Sequence, residues 1–276
     1  MTEDPPQTAV KAGPSAPTHR RLSLKRGRAY GWVLGPVLLL AFWSLGASLG
    51  WIDSRILPAP WVAVTTGVRL IAEGRLLPNA LVSAQRAGTG LCCGILAGLG
   101  LALYSGLTRT GGYLIDGLVQ IKRSIPIFAL MPFFMLWFGI GETMKATVIA
   151  VAVFYPVYIH THNALRSIDL RYVELAETLR LSYAQFLRHI VLPGALPGFL
   201  LGLRFAIVGA WLSVIVVEQT NATRGIGYMV NLAINYAQTD VMLVGLVLYA
   251  ALGVASDCSV RLLQGRLLSW QRTLAG

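Results

Sequence analysis

The chain has 276 residues, of which 55% are hydrophobic and only 13% charged, against about 25% charged in soluble domains. With a mean hydropathy of +0.63, a soluble domain would lack the polar residues to cover its surface. The composition therefore excludes an ordinary globular enzyme and predicts an all-α, polytopic membrane protein whose backbone polar groups are satisfied within helices. The net charge of +11 would suggest nucleic-acid binding in a soluble chain. Here Lys11, Arg20, Arg21, Lys25, Arg26 and Arg28 crowd just before the first apolar run, where a topology signal belongs, and no nucleic-acid partner is expected.

Residues 1–30, with Pro5, Pro6, Pro14 and Pro17 among polar and small residues, read as a disordered cytoplasmic tail. The run Gly31 to Gly50 is too long for a signal-peptide core, lacks a small-residue cleavage site after it, and is taken as the first span. The mixed segment Trp51 to Asn79 completes a 31–79 unit as an extracytoplasmic loop with short amphipathic helices. A second run, about Gly88 to Leu107, carries Gly90, Gly94 and Gly98, a small-residue stripe that serves either packing within the chain or a dimer contact. The next, Ile125 to Ile140, is short and holds Pro126 and Pro132, so it is expected to be bent; Gly139, Gly141 and Glu142 mark an outer turn. A fourth run, Ala146 to Tyr158, leads into the longest polar stretch, His160 to Pro193. Leu196 to Val217 and Val241 to Val260 are the fifth and sixth, separated by the outer segment Glu218 to Asp240.

Six spans place both termini in the cytoplasm, with 265–276 as the C-terminal segment and 80–264 as the main transmembrane unit. Sixteen Lys and Arg then fall inside and six outside (Arg55, Arg69, Arg75, Arg86, Lys145, Arg224), with Arg204 inside a span. No internal repeat of the secondary-transporter kind is visible.

No catalytic constellation emerges, so neither a metal nor a cofactor is expected. His160 and His162 are two apart and point to different helix faces, Cys92, Cys93 and Cys258 form no metal or redox spacing, and no nucleophile or phosphate-loop motif is present. The chain does not itself hydrolyse ATP. In the long polar stretch, Val173, Ala176, Leu179 and Tyr183 recur at helical spacing, and Pro193, Gly194 and Pro197 follow as a hinge where one helix stops and the next begins. Such an amphipathic helix fits either a membrane surface or a partner to which it passes force.

The stretch E-L-A-E-T-L-R-L-S (Glu174 to Ser182), followed eight residues later by V-L-P-G-A-L-P (Val191 to Pro197), resembles the EAA coupling loop of ABC importer permeases, about 166–197 here. W-I-D-S-R-I-L-P-A-P (Trp51 to Pro60), the segment Arg123 to Glu142, G-L-R-F-A (Gly202 to Ala206), G-I-G-Y (Gly225 to Tyr228) and Q-T-D-V (Gln238 to Val241) are similar to the nitrate, sulfonate and taurine group. Within it, the N-terminal piece and F-Y-P-V-Y-I-H-T-H (Phe154 to His162) look most like aliphatic sulfonate permeases.

The resemblance implies a type I ABC importer permease fold of about six transmembrane helices in the bacterial inner membrane. It implies a second permease copy, two ABC ATPase subunits and an extracytoplasmic substrate-binding protein as partners. Aliphatic sulfonates are the implied solute, with taurine, nitrate or another small organic solute as alternatives. Glu174, Ala176, Leu179, Arg180 and Ser182 would contact the ATPase, or else cap and pack the loop. Arg180 stands where the family loop has a glycine, so the turn must be made otherwise or the helix must run on. Arg204, Arg123 and Glu218 are the residues a translocation path would use, with snorkelling or an ion pair the other reading for Arg204. An ion-coupled carrier would instead use Glu142, Glu218 and Asp240; an intramembrane enzyme would need a nucleophile, metal set or buried acid pair that the sequence lacks.

Overall fold

The computed structural model describes residues 31–270, so the N-terminal tail with its basic cluster and the last six residues with Arg272 lie outside the described residues. Among the described residues every regular element is helical. The apolar helix α1 (Gly31–Ser48) is followed by α2 (Pro60–Ala72), which Pro60 opens at a position where its missing N–H costs nothing. α3 (Leu76–Leu107) is far longer than the apolar run that predicted it. It starts twelve residues before Gly88 and so takes in Ser83 and Arg86, and the boundary expected at residue 79 falls inside its first turn.

α4 (Arg109–Ser124), capped by the Thr108 hydroxyl, breaks at Ile125–Pro126 and continues through a 3₁₀ turn into α5 (Met131–Phe138). The two arms meet at 95°. The left-handed Gly139 (φ +72°) ends α5, and α6 (Glu142–Arg166) follows. Then come α7 (Leu170–Thr178), α8 (Tyr183–Phe186), α9 (Leu192–Asn221), α10 (Ile226–Asn235) and α11 (Thr239–Leu267). Among the described residues four helical stretches are long and apolar enough to cross a membrane: α3, α6, Tyr183–Asn221 and α11. The bent α4–α5 pair makes a fifth. The described part of α1, Val33–Ser48, is apolar but shorter, so the described residues give four spans, or five with the bent pair, against the six of the sequence reading.

α6 is the central helix. Met144, Val148, Ile149, Val153 and Val157 on it are wholly buried between α3 and α9. Both neighbours approach through glycines. A Cβ on Gly94 would lie 2.6 Å from Val153 Cβ and from the Ala150 carbonyl, and one on Gly98 would lie 2.8 Å from the Phe154 carbonyl. On the other side a Cβ on Gly202 would lie 2.7 Å from the Pro156 carbonyl. The Gly90–Gly94–Gly98 stripe is therefore consumed inside the chain, where van der Waals packing of close backbones replaces the hydrophobic drive that lipid cannot provide.

The polar contacts fix which helix ends share a level. Ser83 of α3, Glu142 of α6, Glu218 of α9 and Tyr249 of α11 converge at one end, called here the charged end. Ser105 of α3, His162 and Arg166 of α6 and the start of α9 lie toward the other, the loop end. Both α3 and α6 run from the charged end to the loop end, so α4 and α5 together carry the chain back.

Two expectations change at this level. Lys122 Nζ lies 5.0 Å over the ring of Tyr155, about halfway along α6, so Lys122 and Arg123, in the last turn of α4, lie at mid-depth and not near either end of the bundle. Pro193 and Pro197 also fail to separate two helices. Tyr183–Asn221 is one helical run of 39 residues in which a π turn, Leu187–Val191, precedes Pro193. That wider turn relaxes the ladder where proline cannot donate and its ring would crowd the preceding carbonyl.

Candidate functional site

At the charged end, Glu218 is buried with no exposed side-chain surface, in the last turn of α9. Its carboxylate accepts from the Ser83 hydroxyl (2.8 Å), Arg86 Nη1 (2.8 Å), the Gly227 amide (2.8 Å) and the Tyr249 hydroxyl (3.2 Å). The Gly227 amide belongs to the first turn of α10, a favourable place for an anion. Gly225, at φ +121°, presses its backbone so close to the carboxylate that a Cβ there would overlap it. The G-I-G-Y motif is thus the lid of a carboxylate pocket. Glu218 faces no open space, and its contacts tie α3, α9, α10 and α11 together.

Arg86 joins this site to a second carboxylate. Its Nε and Nη2 each donate to Glu142 at 2.7 Å, and Nη1 also donates to the Arg224 carbonyl at 2.6 Å. Lys145 Nζ donates to Glu142 Oε1 at 2.8 Å. Two cations and two carboxylates so form a neutral cluster bordering a cavity of about 560 Å³. The sequence reading missed it, having assigned Arg86, Lys145 and Arg224 to the outer side by count. The available signal was Arg86 itself, a charge beside an apolar glycine-striped run, whose partners lie 56 and 132 positions away. Asp240 is at the same end, accepting from Arg69 and Thr66 at 3.0 Å.

Arg204 lies within α9, and its Nε donates to Asp257 of α11 at 2.9 Å; Asp257 also accepts from Arg261 at 2.6 Å. The ion-pair reading of Arg204 is the one the geometry displays. Arg123, in the last turn of α4 beside the break, is exposed and forms no ion pair among the described residues. Toward the loop end Asp116 of α4 accepts from Tyr158 (2.6 Å) and Ser105 (2.7 Å), beside a buried His162 that stacks on Tyr158. His160 stacks on Phe205. Both histidines thus sit in packed helix contacts.

The loop end carries α7. Asp169 caps it, its carboxylate accepting from the Arg171 amide, and the helix stops at Thr178. The stop is a Schellman turn: the Arg180 amide reaches the Glu177 carbonyl at 3.0 Å and the Leu181 amide the Ala176 carbonyl at 2.9 Å. Arg180 adopts the left-handed conformation (φ +48°) that glycine would take, so the turn is made despite the substitution, at a strain of about 1–2 kcal/mol.

The five residues expected to contact the ATPase separate into two sets. Ala176 is buried, and the Ser182 hydroxyl is occupied in a capping box with Gln185 at the start of α8. Glu174, Leu179 and Arg180 are exposed. Beside them Tyr172, Leu175 and Leu179, at spacings of three and four, present an apolar stripe outward. Pro193, Gly194 and Pro197 line a cavity of about 520 Å³ between the base of α7 and the start of α9.

The family described as binding-protein-dependent transport system inner membrane component matches residues 90–269. The chain is similar to the aliphatic sulfonates transport permease protein SsuC of Bacillus subtilis, 34% identical over 274 residues covering 98% of this chain and 96% of that one. It is 42% identical over 243 residues to SsuC of Escherichia coli, covering 88% and 92%. The taurine transport system permease protein TauC of Escherichia coli is 32% identical over 239 residues, covering 85% and 86%. The chain belongs to the binding-protein-dependent inner membrane components, the non-catalytic permease subunits of ABC importers.

Proposed function

We propose that the chain is the transmembrane subunit of an ATP-driven importer of aliphatic sulfonates, working as a homodimer with two ATPase subunits and an extracytoplasmic binding protein. The observation that carries this reading is the similarity to sulfonate permeases along almost the full length. The shape of α7 supports it: a short helix rigidly terminated at both ends, with Tyr172, Leu175 and Leu179 turned outward and Glu174 and Arg180 beside them, is a docking surface for another protein. The loop end then faces the cytoplasm, with both termini on that side, and the charged end faces outward toward the binding protein. The short turn after α7 joins the platform to the continuous run Tyr183–Asn221, within which Pro193, Gly194 and Pro197 lie, so a displacement of α7 is passed to the bundle as a tilt of one stiff rod.

For the path through the membrane, Arg123 is the residue of choice, an exposed cation at mid-depth beside the α4–α5 break. Arg204 is neutralised by Asp257 and assists packing of α9 on α11. An ion-coupled carrier finds no support in the geometry of its acids, since Glu142, Glu218 and Asp240 are each engaged with a cation at one end.

A strain lacking the chain, with and without its restored copy, tests the reading on alkanesulfonates, taurine or sulfate as sole sulfur source and nitrate as sole nitrogen source. A defect confined to alkanesulfonates is the expected outcome. A defect on taurine or nitrate alone would reassign the solute, and unimpaired growth on alkanesulfonates would refute the sulfonate assignment.

A further inference from the structure

Arg86 and Lys145 are buried, their side chains 9% and 6% exposed, yet the carboxylate they share, Glu142, is 64% exposed. Glu218 next to it is fully enclosed. A purely structural network has no need of this asymmetry. Two desolvated cations direct donors at Glu142, the first side chain of α6, which together with Arg86 lines the cavity of about 560 Å³.

The donors there converge on a single carboxylate. Arg86 Nε, Arg86 Nη2 and Lys145 Nζ are three donors aimed at two carboxylate oxygens, so Glu142 Oε1 serves both Nη2 (2.7 Å) and Nζ (2.8 Å). A sulfonate carries the same single negative charge over three oxygens and offers each donor its own acceptor. Exchanging one anion for the other leaves the charge balance with Glu218 unchanged, so no buried cation is left uncompensated. The released Glu142 passes to the solvent its side chain already borders. Around the opening, Gln85, Thr89, Thr143 and Thr223 supply neutral polar groups, while Val82 and Ala146 offer apolar contact for a short alkyl chain. Arg224 at the rim adds a positive charge that draws anions in.

We propose that Arg86 and Lys145 form a sulfonate-binding subsite inside the permease, with Glu142 as its displaceable internal stand-in. The proposal rests on the sulfonate reading above and adds that solute selection is shared between the binding protein and this chain. A carboxylate ligand gains nothing over Glu142 itself and is rejected. Nitrate matches the three oxygens but lacks the chain that Val82 and Ala146 would contact.

The test measures equilibrium binding of radiolabelled ethanesulfonate, with acetate and nitrate as competitors, to the purified permease–ATPase complex without binding protein. ATP-driven ethanesulfonate uptake by the complete system in proteoliposomes is measured alongside. Glu142→Gln should tighten ethanesulfonate binding about tenfold, because a neutral amide holds the cations less well and is displaced more easily. Lys145→Gln on that background should abolish the gain, acetate should compete at least tenfold less well than ethanesulfonate, and nitrate should compete several-fold less well. Thr223→Glu, an exposed change at the rim that leaves the network intact, should weaken binding several-fold. Uptake by the wild type together with binding that ignores Glu142→Gln and Thr223→Glu would overturn the subsite and leave the transport function standing. Binding that follows the variants without any uptake would overturn the transport reading instead, and tighter competition by nitrate than by ethanesulfonate would overturn the sulfonate assignment of the pocket.

Discussion

At the charged end of the bundle, Arg86, Lys145, Glu142 and Glu218 satisfy one another and a buried tyrosine, and the helices they join can separate only by exposing charge. At the loop end, α7 places Glu174, Leu179 and Arg180 outward, unpaired by this chain among the described residues, and spends its local hydrogen bonds on terminating itself. The first arrangement fixes helices relative to one another; the second fixes a surface relative to one helix. A transporter that must move needs both, a clamp about which spans pivot and a rigid handle for the partner that drives them. Each side of the comparison can be broken separately.

The largest expected effect is on the clamp. Glu218→Ala leaves Arg86 with half its compensation in a desolvated site and should cost about 3–5 kcal/mol, read as a fall in thermal midpoint of the purified permease or as loss of assembled protein. Gly225→Ala attacks the same carboxylate from the backbone side, by combining a positive φ with a methyl placed on Glu218, and should cost about 1–3 kcal/mol by the same readout. The handle should respond in the opposite pattern. Tyr172→Ala is expected to change the stability of the free permease by less than about 0.5 kcal/mol, read from its thermal midpoint. It should still weaken ATPase association by about 2 kcal/mol, roughly thirtyfold, in a titration of the ATPase subunit. The smallest effect is at the turn. Arg180→Gly relieves a left-handed non-glycine residue and, after the entropy glycine adds to the unfolded chain, should leave stability unchanged or raised by up to about 1 kcal/mol; Arg180→Val should lower it.

These outcomes separate what a reader of the sequence could see from what the fold adds. Hydropathy locates the apolar interior of each long helix, and the Gly90–Gly94–Gly98 stripe announces a close approach, because both signals are local. The extension of α3 back to Leu76 is hidden because its first turns carry Asn79, Ser83 and Arg86, polar residues that look like loop until their distant partners are known. The face of α7 is ambiguous for a different reason: the row Val173, Ala176, Leu179 and Tyr183 competes with Tyr172, Leu175 and Leu179, and packing against the bundle buries Ala176 while leaving Leu179 and Tyr183 exposed. Arg180 is legible as a departure from the family loop, but not that its backbone tolerates the glycine conformation. The continuity of Tyr183–Asn221 through Pro193 and Pro197 depends on a π turn that no residue type signals.

The most direct test of the division between clamp and handle is site-specific photocrosslinking in intact membranes of a strain expressing the whole system, with a photoreactive residue at Tyr172 or at Thr223. The account predicts that position 172 captures the ATPase and not the binding protein, and that position 223 captures the binding protein and not the ATPase. Capture of the binding protein from position 172, or of the ATPase from position 223, would invert the orientation and contradict the account.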